Sequence, residues 1–363
     1  MHARQAANLL IVDEVGIEAR PATGASAESE APPVSAGGVL VDIGIPAHGR
    51  PGYLVEAIDC VRAQTLVNWR LTISEDGPGG GEIARAVAPY LDDPRIRFVA
   101  TGERVGAARN MTGLIGAGSA PYVGLLHDDD QWRPEFLARR VAFLQAQPEC
   151  GFVFSPELEI GANGTLFGHQ KPEMPAGVYS PQELVPRLLW NNFVGTSTLL
   201  FRRSALEAVG PSFDASFPTI YDYEIVMRLS IRFPTGYLGT YDSAWRRHTQ
   251  QSTQRNTNRS AEYVQFLDHV DELLAQEPEL RLTPWQRRQR LGRWLRYQAL
   301  NAAVAGDRRS SLSQLGQALR TYPPAVLTPG AAVSLLTLPL GSHGLNAVRA
   351  TRERARRLRL YGA

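Results

Sequence analysis

The chain has 363 residues, of which 44% are hydrophobic, so it is long enough to bury a sizeable core and is typical of a globular protein. Its only two cysteines, Cys60 and Cys150, lack metal-ligand spacing, which argues against a disulfide framework or a zinc site and fits a reducing cytoplasm. The longest apolar stretch, Ala325 to Leu340, contains two prolines and is too short for a bilayer-spanning helix. No secretion signal is evident, and we expect a cytoplasmic protein.

The net charge of +2 conceals an uneven distribution of charge. Residues 281–363 hold fifteen arginines against Asp307 and Glu353, a local balance of +13. Such a tail is attracted to an anionic surface or forms a solvated helical surface. Six arginines between Arg349 and Arg359 follow the apolar stretch, so one hypothesis is peripheral contact with an anionic membrane, at its inner face.

The chain opens with a segment that has no apolar periodicity. Residues 21–38 mix Pro, Gly, Ala, Ser and Glu, and we interpret 1–38 as a flexible leader. From Val39, four short apolar runs alternate with helical segments. They are VLVDIGI then Gly52 to Gln64, WRLTIS then Glu82 to Tyr90, IRFVA then Val105 to Gly118, and YVGLLH then Pro134 to Gln147. This rhythm predicts an α/β fold with a Rossmann-like, mostly parallel sheet flanked by helices on both faces.

The pattern changes twice further along the chain. After Gly151 the elements become shorter, with loops rich in Gly and Pro, until a helix begins near Asp222. Beyond about Ser260 the sequence is helical. These changes divide the chain near residues 150 and 260.

Candidate site residues, most of them polar, follow three of the predicted strands. They are Pro46, Ala47 and His48 after the first, Glu75 and Asp76 after the second, and His127 to Asp130 after the fourth. Ligands of open parallel sheets bind outside the carboxyl ends of the strands, so these residues should meet at one crevice. A carboxylate at Asp76 could accept hydrogen bonds from a nucleobase or ribose, although Asp-Gly alone is more often a turn.

The sharpest feature is the run His127-Asp128-Asp129-Asp130. Adjacent carboxylates repel one another, and Mg²⁺ or Mn²⁺ can hold them together while sharing oxygens of a substrate diphosphate. The alternative is an acidic turn that caps the helix after Pro134. Taken alone, the run does not decide between the two interpretations.

Two arginines lie at the start of the helical segment that precedes the fourth predicted strand. Arg104 and Arg109 flank small residues, which permit close approach of a ligand, and arginine binds phosphate or a base edge. A surface salt bridge is the simpler explanation of either residue.

The helix near Asp222 has a carboxylate in its first turn. Asp222 shares a face with Ile225, Val226 and Leu229, whereas Glu224 is expected to project elsewhere. Asp222 could take a proton from an attacking hydroxyl or serve as an N-cap, and both roles are compatible. His248 could be a metal or diphosphate ligand, although a lone histidine in a polar loop usually has no special role.

Together these segments resemble the large inverting family of GT-A-fold glycosyltransferases often called family 2, from about Val39 to Thr253. The matching strings, in order, are IPAHGRPGYLVEAIDCVRAQT, SEDG, RVGAARNMTGLIGAGSAPYV, LLHDDDQWRPEFL, GTSTLLFRRSALEAVG, YDYEIVMRL and WRRH. The resemblance implies that Asp76 contacts the nucleobase, Asp128 the ribose or sugar and Asp129 the metal, with Asp222 the catalytic base. Pro46, His48, Arg104, Arg109 and His248 would support donor or metal binding.

The resemblance also implies the partners. They are a divalent metal, Mg²⁺ or Mn²⁺, a UDP-, GDP- or dTDP-sugar donor, and a glycan, lipid-linked or small-molecule acceptor, with no nucleic acid expected. On this basis 39–260 is the glycosyltransferase domain, with a nucleotide-sugar half (39–150) and an acceptor half (151–260), and 261–363 is a helical, arginine-rich region.

Three departures from the family pattern qualify the match. His127 and Tyr221 stand where relatives often carry carboxylates, and Arg290 replaces the glutamine of the Q-x-x-R-W motif of processive synthases, so we expect transfer of a single sugar. Two alternatives remain open. One is a nucleotidyltransferase, for which Gly49-Arg50-Pro51-Gly52 is a poor phosphate-binding loop; the other is a degenerate transferase domain that only binds carbohydrate or nucleic acid.

Overall fold

The computed structural model describes residues 38–248, 251, 260–304 and 307–327. The predicted leader, except for its last residue, and the arginines from 349 to 359 lie outside the described residues, as does most of the apolar stretch 325–340. The chain forms two compact units. Among the described residues the first comprises 38–181, 193–218 and 228–248, and the second comprises the remainder.

Secondary structure covers most of both units. The strands are β1 (Val41–Ala47), β2 (Trp69–Glu75), β3 (Ile96–Ala100), β4 (Tyr122–Leu125), β5 (Gln131–Trp132), β6 (Phe152–Phe154), β7 (Glu157–Gly161), β8 (Leu166–Gln170), β9 (Gly177–Tyr179), β10 (Leu200–Arg202), β11 (Thr235–Tyr237) and β12 (Ser243–Arg247). The helices are α1 (Pro51–Arg62), α2 (Glu82–Val87), α3 (Ala107–Gly116), α4 (Phe136–Ala146), α5 (Pro181–Trp190), α6 (Arg203–Val209), α7 (Tyr221–Arg232), α8 (Ser260–Leu273), α9 (Pro284–Val304) and α10 (Arg308–Thr321).

The first unit is built on two sheets. The eight-stranded sheet has the order β3-β2-β1-β4-β10-β6-β11-β9, and its first four strands are mutually parallel. β10 runs antiparallel to both of its neighbours, β4 and β6. The second sheet has the order β5-β12-β7-β8. The predicted mostly parallel sheet is therefore confirmed, and its parallel half is made from the four predicted strands.

Helices cover both faces of the parallel strands. Successive residues of a strand point to opposite faces. Ile43 and Ile45 of β1 belong to one buried cluster with Leu54 and Ile58 of α1. Gly44 faces the other way, and a Cβ atom there would lie 2.8 Å from Cβ of Leu114 in α3. Glycine at position 44 thus lets α3 pack closely on the second face.

The second unit is mainly helical. The ring of Tyr263 in α8 stacks on Trp294 in α9 with centroids 4.1 Å apart, and Tyr223 of α7 lies 4.5 Å from Phe266. The Ser311 hydroxyl of α10 donates to the Ala299 carbonyl of α9 at 2.9 Å. Helices therefore form where the sequence predicts them after residue 260, but this unit also includes 182–192 and 219–227, which the sequence division places in the acceptor half.

Two expectations drawn from composition can be compared with the structure. No helix within the described ranges is both long and apolar enough to cross a membrane. Cys60 and Cys150 are both buried free thiols, and burial raises the pKa of Cys60 to about 12 and that of Cys150 to about 11. Neither thiol is therefore in the reactive thiolate form near neutral pH.

A fully buried arginine joins α4 to the core of the first unit. Arg140 donates to the Thr198 carbonyl at 3.0 Å, to the Ser155 hydroxyl at 2.6 Å and to the Asp242 carboxylate at 3.3 Å. Its neighbour Arg139 also pairs with Asp242, at 2.8 Å, but 47% of its side chain is exposed. The two arginines share one carboxylate and differ mainly in burial.

Substituting these two arginines should show that the buried charge pair contributes more to the free energy of unfolding than the exposed one. Arg140→Met should lower the free energy of unfolding by about 3–5 kcal/mol, because Asp242 and Ser155 lose a buried partner. Arg139→Met, the matched control, should cost about 1 kcal/mol or less. Urea denaturation followed by circular dichroism measures both. Equal losses in the two variants would contradict this account.

Candidate active site

The three consecutive aspartates form a buried turn immediately after β4. The turn closes with a hydrogen bond from the Asp130 amide to the His127 carbonyl at 3.1 Å. Asp128, Asp129 and Asp130 are 1%, 7% and 4% exposed. Burial raises the pKa of Asp128 to about 7, although Arg50 opposes the shift, and burial with the neighbouring Asp129 raises the pKa of Asp130 well above its usual range.

The interpretation of this run as a helix cap is wrong. α4 begins at Phe136, and the residue at its N-cap is Glu135. The aspartates instead bind partners elsewhere in the first unit, because a buried carboxylate needs donors that the start of α4 does not supply. Burial therefore favours a site over an ordinary acidic turn.

Arg50 is the main cationic partner of the turn. Its guanidinium donates to Asp129 Oδ2 at 2.5 Å and to Asp128 Oδ1, so it bridges two carboxylates. The His48 amide donates to the second oxygen of Asp128 at 3.1 Å. Arg50 occupies the N-cap position of α1, directly after β1. In the sequence Arg50 stands out only as part of a poor phosphate-binding loop, and its position three residues after β1 was the available signal.

Asp130 is held by two other donors. The Ser197 hydroxyl donates to Asp130 Oδ2 at 2.6 Å, and the Arg246 amide donates to Asp130 Oδ1 at 3.0 Å. The Arg246 side chain, which is 1% exposed, donates from Nε to the Asp129 carbonyl at 2.9 Å and pairs with Glu56. Sequence reasoning gave no role to Ser197 or Arg246, although both lie in matched strings, because their partner Asp130 is far away in the chain.

Pairing of β12 with β5 places His248 beside the aspartate turn. Ser243 lies opposite Trp132, so β12 runs along the segment that follows Asp130. His248 comes immediately after β12, and its Nε2 lies 2.9 Å from Asp129 Oδ2. Its ring centroid lies 5.1 Å from that of Tyr53. The structure thus joins two residues that are far apart in the chain and that the sequence singled out.

Asp76 lies at the end of the neighbouring strand β2. Its carboxylate accepts the amides of Val105 at 2.7 Å and Gly106 at 3.2 Å. Gly106 has a φ of +86°, a conformation that favours glycine. The Asp76 carbonyl lies 3.2 Å from His48 Nδ1. Asp76 is therefore more than a turn residue, because it fixes the loop that leads into α3.

Three further residues that the sequence singles out lie just before α3, in α3 and in β1. Arg104 and Arg109 are exposed, and neither forms an ion pair within the described part of the chain, so the surface salt-bridge alternative finds no support there. Pro46 is the second-last residue of β1 and pairs with Ser74 of β2. These positions leave both guanidinium groups available to a ligand.

Asp222 and Glu224 belong to the second unit. Asp222 is half-buried in the first turn of α7, and its Oδ1 accepts the Tyr223 amide at 2.8 Å. Glu224 is 1% exposed and lies 3.0 Å from His269 Nε2, so the expectation that it projects away from the core is wrong. α7 is buried on almost every side, and helical periodicity alone therefore could not distinguish its faces.

The distance between Asp129 and His248 is compatible with two ligands of one divalent cation. Two ligands at right angles around an octahedral ion, each about 2.1 Å from it, are about 3.0 Å apart, close to the observed 2.9 Å between Oδ2 and Nε2. No group of three or more His, Cys, Asp or Glu side chains that could hold a metal occurs within the described ranges. The other ligands would come from substrate oxygens and water, as is common for Mg²⁺ sites.

Comparison with solved structures identifies the fold. The chain is similar to S. aureus TarS 1-349 in complex with UDP-GlcNAc. The TM-score is 0.55 and the identity is 12%, over 78% of this chain and 92% of that chain. The chain is also similar to mannosyltransferase PcManGT from Pyrobaculum calidifontis in complex with GDP-Man and Mn²⁺. The TM-score is 0.50 and the identity is 17%, over 83% of this chain and 86% of that chain. The fold is that of the GT-A glycosyltransferases.

Sequence comparison finds a family match over part of the chain. Residues 42–210, a little under half of the chain, match the family described as Glycosyl transferase family 2. The chain is 24% identical over 194 residues to chondroitin synthase from Escherichia coli, covering 53% of this chain and 26% of that protein. The chain spans about a fifth to two thirds of the length of the curated relatives that it matches.

The hydroxyl that supports Asp130 should be important for stability. Ser197→Ala removes the only side-chain donor to Asp130 among the contacts described above, and should lower the free energy of unfolding by about 1–3 kcal/mol. Ser216→Ala, at an exposed position, is the matched control and should change it by about 0.5 kcal/mol or less. Chemical denaturation measures both, and a Ser197→Ala variant as stable as the control would refute the role of this hydrogen bond.

Proposed function

We propose that the protein is a metal-dependent, inverting glycosyltransferase that moves one sugar from a nucleotide-sugar donor to an acceptor hydroxyl. One observation carries the proposal: Asp128, Asp129 and His248 meet in a buried cluster beside Asp76, at the carboxyl ends of parallel strands. Ligands of open α/β sheets bind at such strand ends. The match of residues 42–210 to a glycosyltransferase family supports the reaction class.

The donor is a UDP-, GDP- or dTDP-sugar bound along this edge. Asp76 accepts from the nucleobase, because each carboxylate oxygen has more than one acceptor position and the loop amides use only part of this capacity. Asp128 accepts from the ribose or sugar. Pro46, His48, Arg104 and Arg109 line the donor side, where the two guanidinium groups are suited to phosphate oxygens.

Asp129 and His248 hold the divalent cation, Mg²⁺ or Mn²⁺. When bound, the cation offsets negative charge on the departing diphosphate. His248 presents Nε2 as a neutral acceptor in this role, which requires its proton to be on Nδ1. Arg246 holds both proposed metal ligands in position, because its side chain donates a hydrogen bond to the Asp129 carbonyl and it precedes His248 by two residues.

Asp222 is the catalytic base in this proposal. It takes the proton from the acceptor hydroxyl while the oxygen forms a bond to the anomeric carbon and the bond to the diphosphate breaks. A single displacement inverts the configuration at that carbon. Its place in the first turn of α7 favours the ionised carboxylate that this role needs. The acceptor is a glycan, a lipid-linked glycan or a small molecule.

Substitution of Asp129 should test the metal ligand. Asp129→Ala should lower Mn²⁺-dependent nucleotide release from the cognate sugar nucleotide by about a hundredfold or more, since charge stabilisation of a leaving group is worth several kcal/mol. The assay uses a panel of UDP-, GDP- and dTDP-sugars with and without Mn²⁺. Asp93→Ala, which removes a carboxylate from a loop with no proposed role, is the control and should leave the rate unchanged. Metal-independent release that survives Asp129→Ala would refute the metal's role.

Substitution of Asp222 should separate catalysis from donor binding. Asp222→Asn should lower nucleotide release by about 10² or more while the dissociation constant of the donor changes by less than about threefold, because a general base acts on the acceptor hydroxyl or water. Calorimetric titration of the donor provides the second measurement. Equal losses of binding and rate would argue against a base. If no sugar nucleotide binds to the wild-type protein, the degenerate binding-domain alternative takes precedence.

A further inference from the structure

Arg50 occupies the same carboxylates that the proposed metal needs. Its two terminal nitrogens pair with Asp128 and Asp129, and its side chain is 20% exposed, whereas the carboxylates are 1% and 9% exposed. The contact to Asp129 is made with Oδ2, the oxygen that also faces His248 Nε2. This oxygen already has two partners, and a cation bound to it would lie beside a guanidinium of the same charge.

The backbone around Arg50 is constrained while its side chain is not. Gly49 has a φ of +67°, and Pro51 is the first residue of α1, so the residues on either side fix the chain path. The guanidinium is carried on a long side chain whose torsions can change without moving this backbone. Arg50 can therefore leave Asp129 without unfolding the loop.

The guanidinium also has an unused donor. Arg50 Nε is buried and has no hydrogen-bond partner within the part of the chain that the structure describes. A buried donor without an acceptor is costly, and an oxyanion is a suitable partner for an arginine. The diphosphate of a donor would supply such oxygens at the strand ends where Arg50 lies.

We propose that Arg50 is an internal competitor of the metal, which keeps the cation from Asp129 until a nucleoside diphosphate draws the guanidinium away. This inference rests on the proposed function. In the ligand-free protein Arg50 pairs with both carboxylates. When the diphosphate is bound, its oxygens replace those of Asp129 as the partners of Arg50, and the metal takes the vacated carboxylate oxygen. Metal and nucleotide affinities are then coupled, each increasing the other by the same factor.

The test is Mn²⁺ binding, measured by the electron paramagnetic resonance signal of free Mn²⁺ without any turnover. In the absence of nucleotide, Arg50→Gln should bind Mn²⁺ about tenfold or more tightly than wild type, because a nearby positive charge is removed. Arg50→Lys keeps the charge and should remain within about threefold of wild type. Addition of the best-binding member of UDP, GDP and dTDP should raise Mn²⁺ affinity strongly in wild type and much less in Arg50→Gln.

Two controls locate the effect. Arg70→Gln removes another arginine that pairs with a buried aspartate of the same unit, Asp42, and should leave Mn²⁺ affinity unchanged. The double variant Arg50→Gln with Asp129→Asn should lose the gain. Circular dichroism melting curves confirm that each variant is folded, and a variant that does not fold is replaced by Arg50→Met.

The outcomes separate this inference from the function on which it rests. If wild type binds Mn²⁺ through Asp129 in the presence of nucleotide but folded Arg50→Gln binds Mn²⁺ alone no more tightly than wild type, the competition is refuted and the metal site stands. Weaker binding by Arg50→Gln refutes it equally, since Arg50 would then support the metal site. If no nucleotide makes wild type bind Mn²⁺, both the metal dependence and the inference fail.

Discussion

Burial of three consecutive aspartates after β4 is the constraint on which the architecture of the first unit depends. Carboxylates removed from water need hydrogen-bond donors or cations, and a single loop cannot supply them. The donors come from three separate places: Arg50 before α1, Ser197 before β10, and Arg246 on β12. Each contact ties a different segment to the same turn. The need to satisfy these charges therefore fixes the positions of loops that hydrophobic packing alone would leave free.

The second sheet supplies hydrogen-bond donors to the aspartate turn. β12 pairs with β5 on one side and with β7 on the other, and its Arg246 is bonded to both Asp129 and Asp130. Two residues later the chain delivers His248 to Asp129. A displacement of β12 would thus remove one of the two hydrogen-bond donors of Asp130 and separate the two proposed metal ligands at once. Stability and ligand geometry are coupled here through one buried arginine.

The parallel half of the sheet and the position of the carboxylates at its strand ends could be predicted from the sequence, because apolar runs and helical periodicity are local signals. Family motifs also singled out Asp129 and His248, which the structure brings together. Arg50, Ser197 and Arg246 also lie in these motifs, but their roles could not be predicted, since they come from contacts between residues far apart in the chain. The orientation of Glu224 was misjudged for a related reason: α7 is buried nearly all round, and its acid is compensated by His269 from another helix.

The charge of the aspartate turn also explains why a histidine at position 127 is compatible with the site. Arg50 already serves two carboxylates, and the Arg246 guanidinium pairs with Glu56, so the turn holds three acids with little cationic charge to spare. A fourth adjacent carboxylate would add repulsion at a place where burial already raises the pKa of Asp128 and Asp130. His127 avoids that cost, and its backbone amide still donates to the Ser197 hydroxyl at 3.2 Å. The substitution leaves untouched the oxygen of Asp129 that faces His248. The departure from the family pattern therefore lowers the charge of the turn without removing the proposed metal ligand.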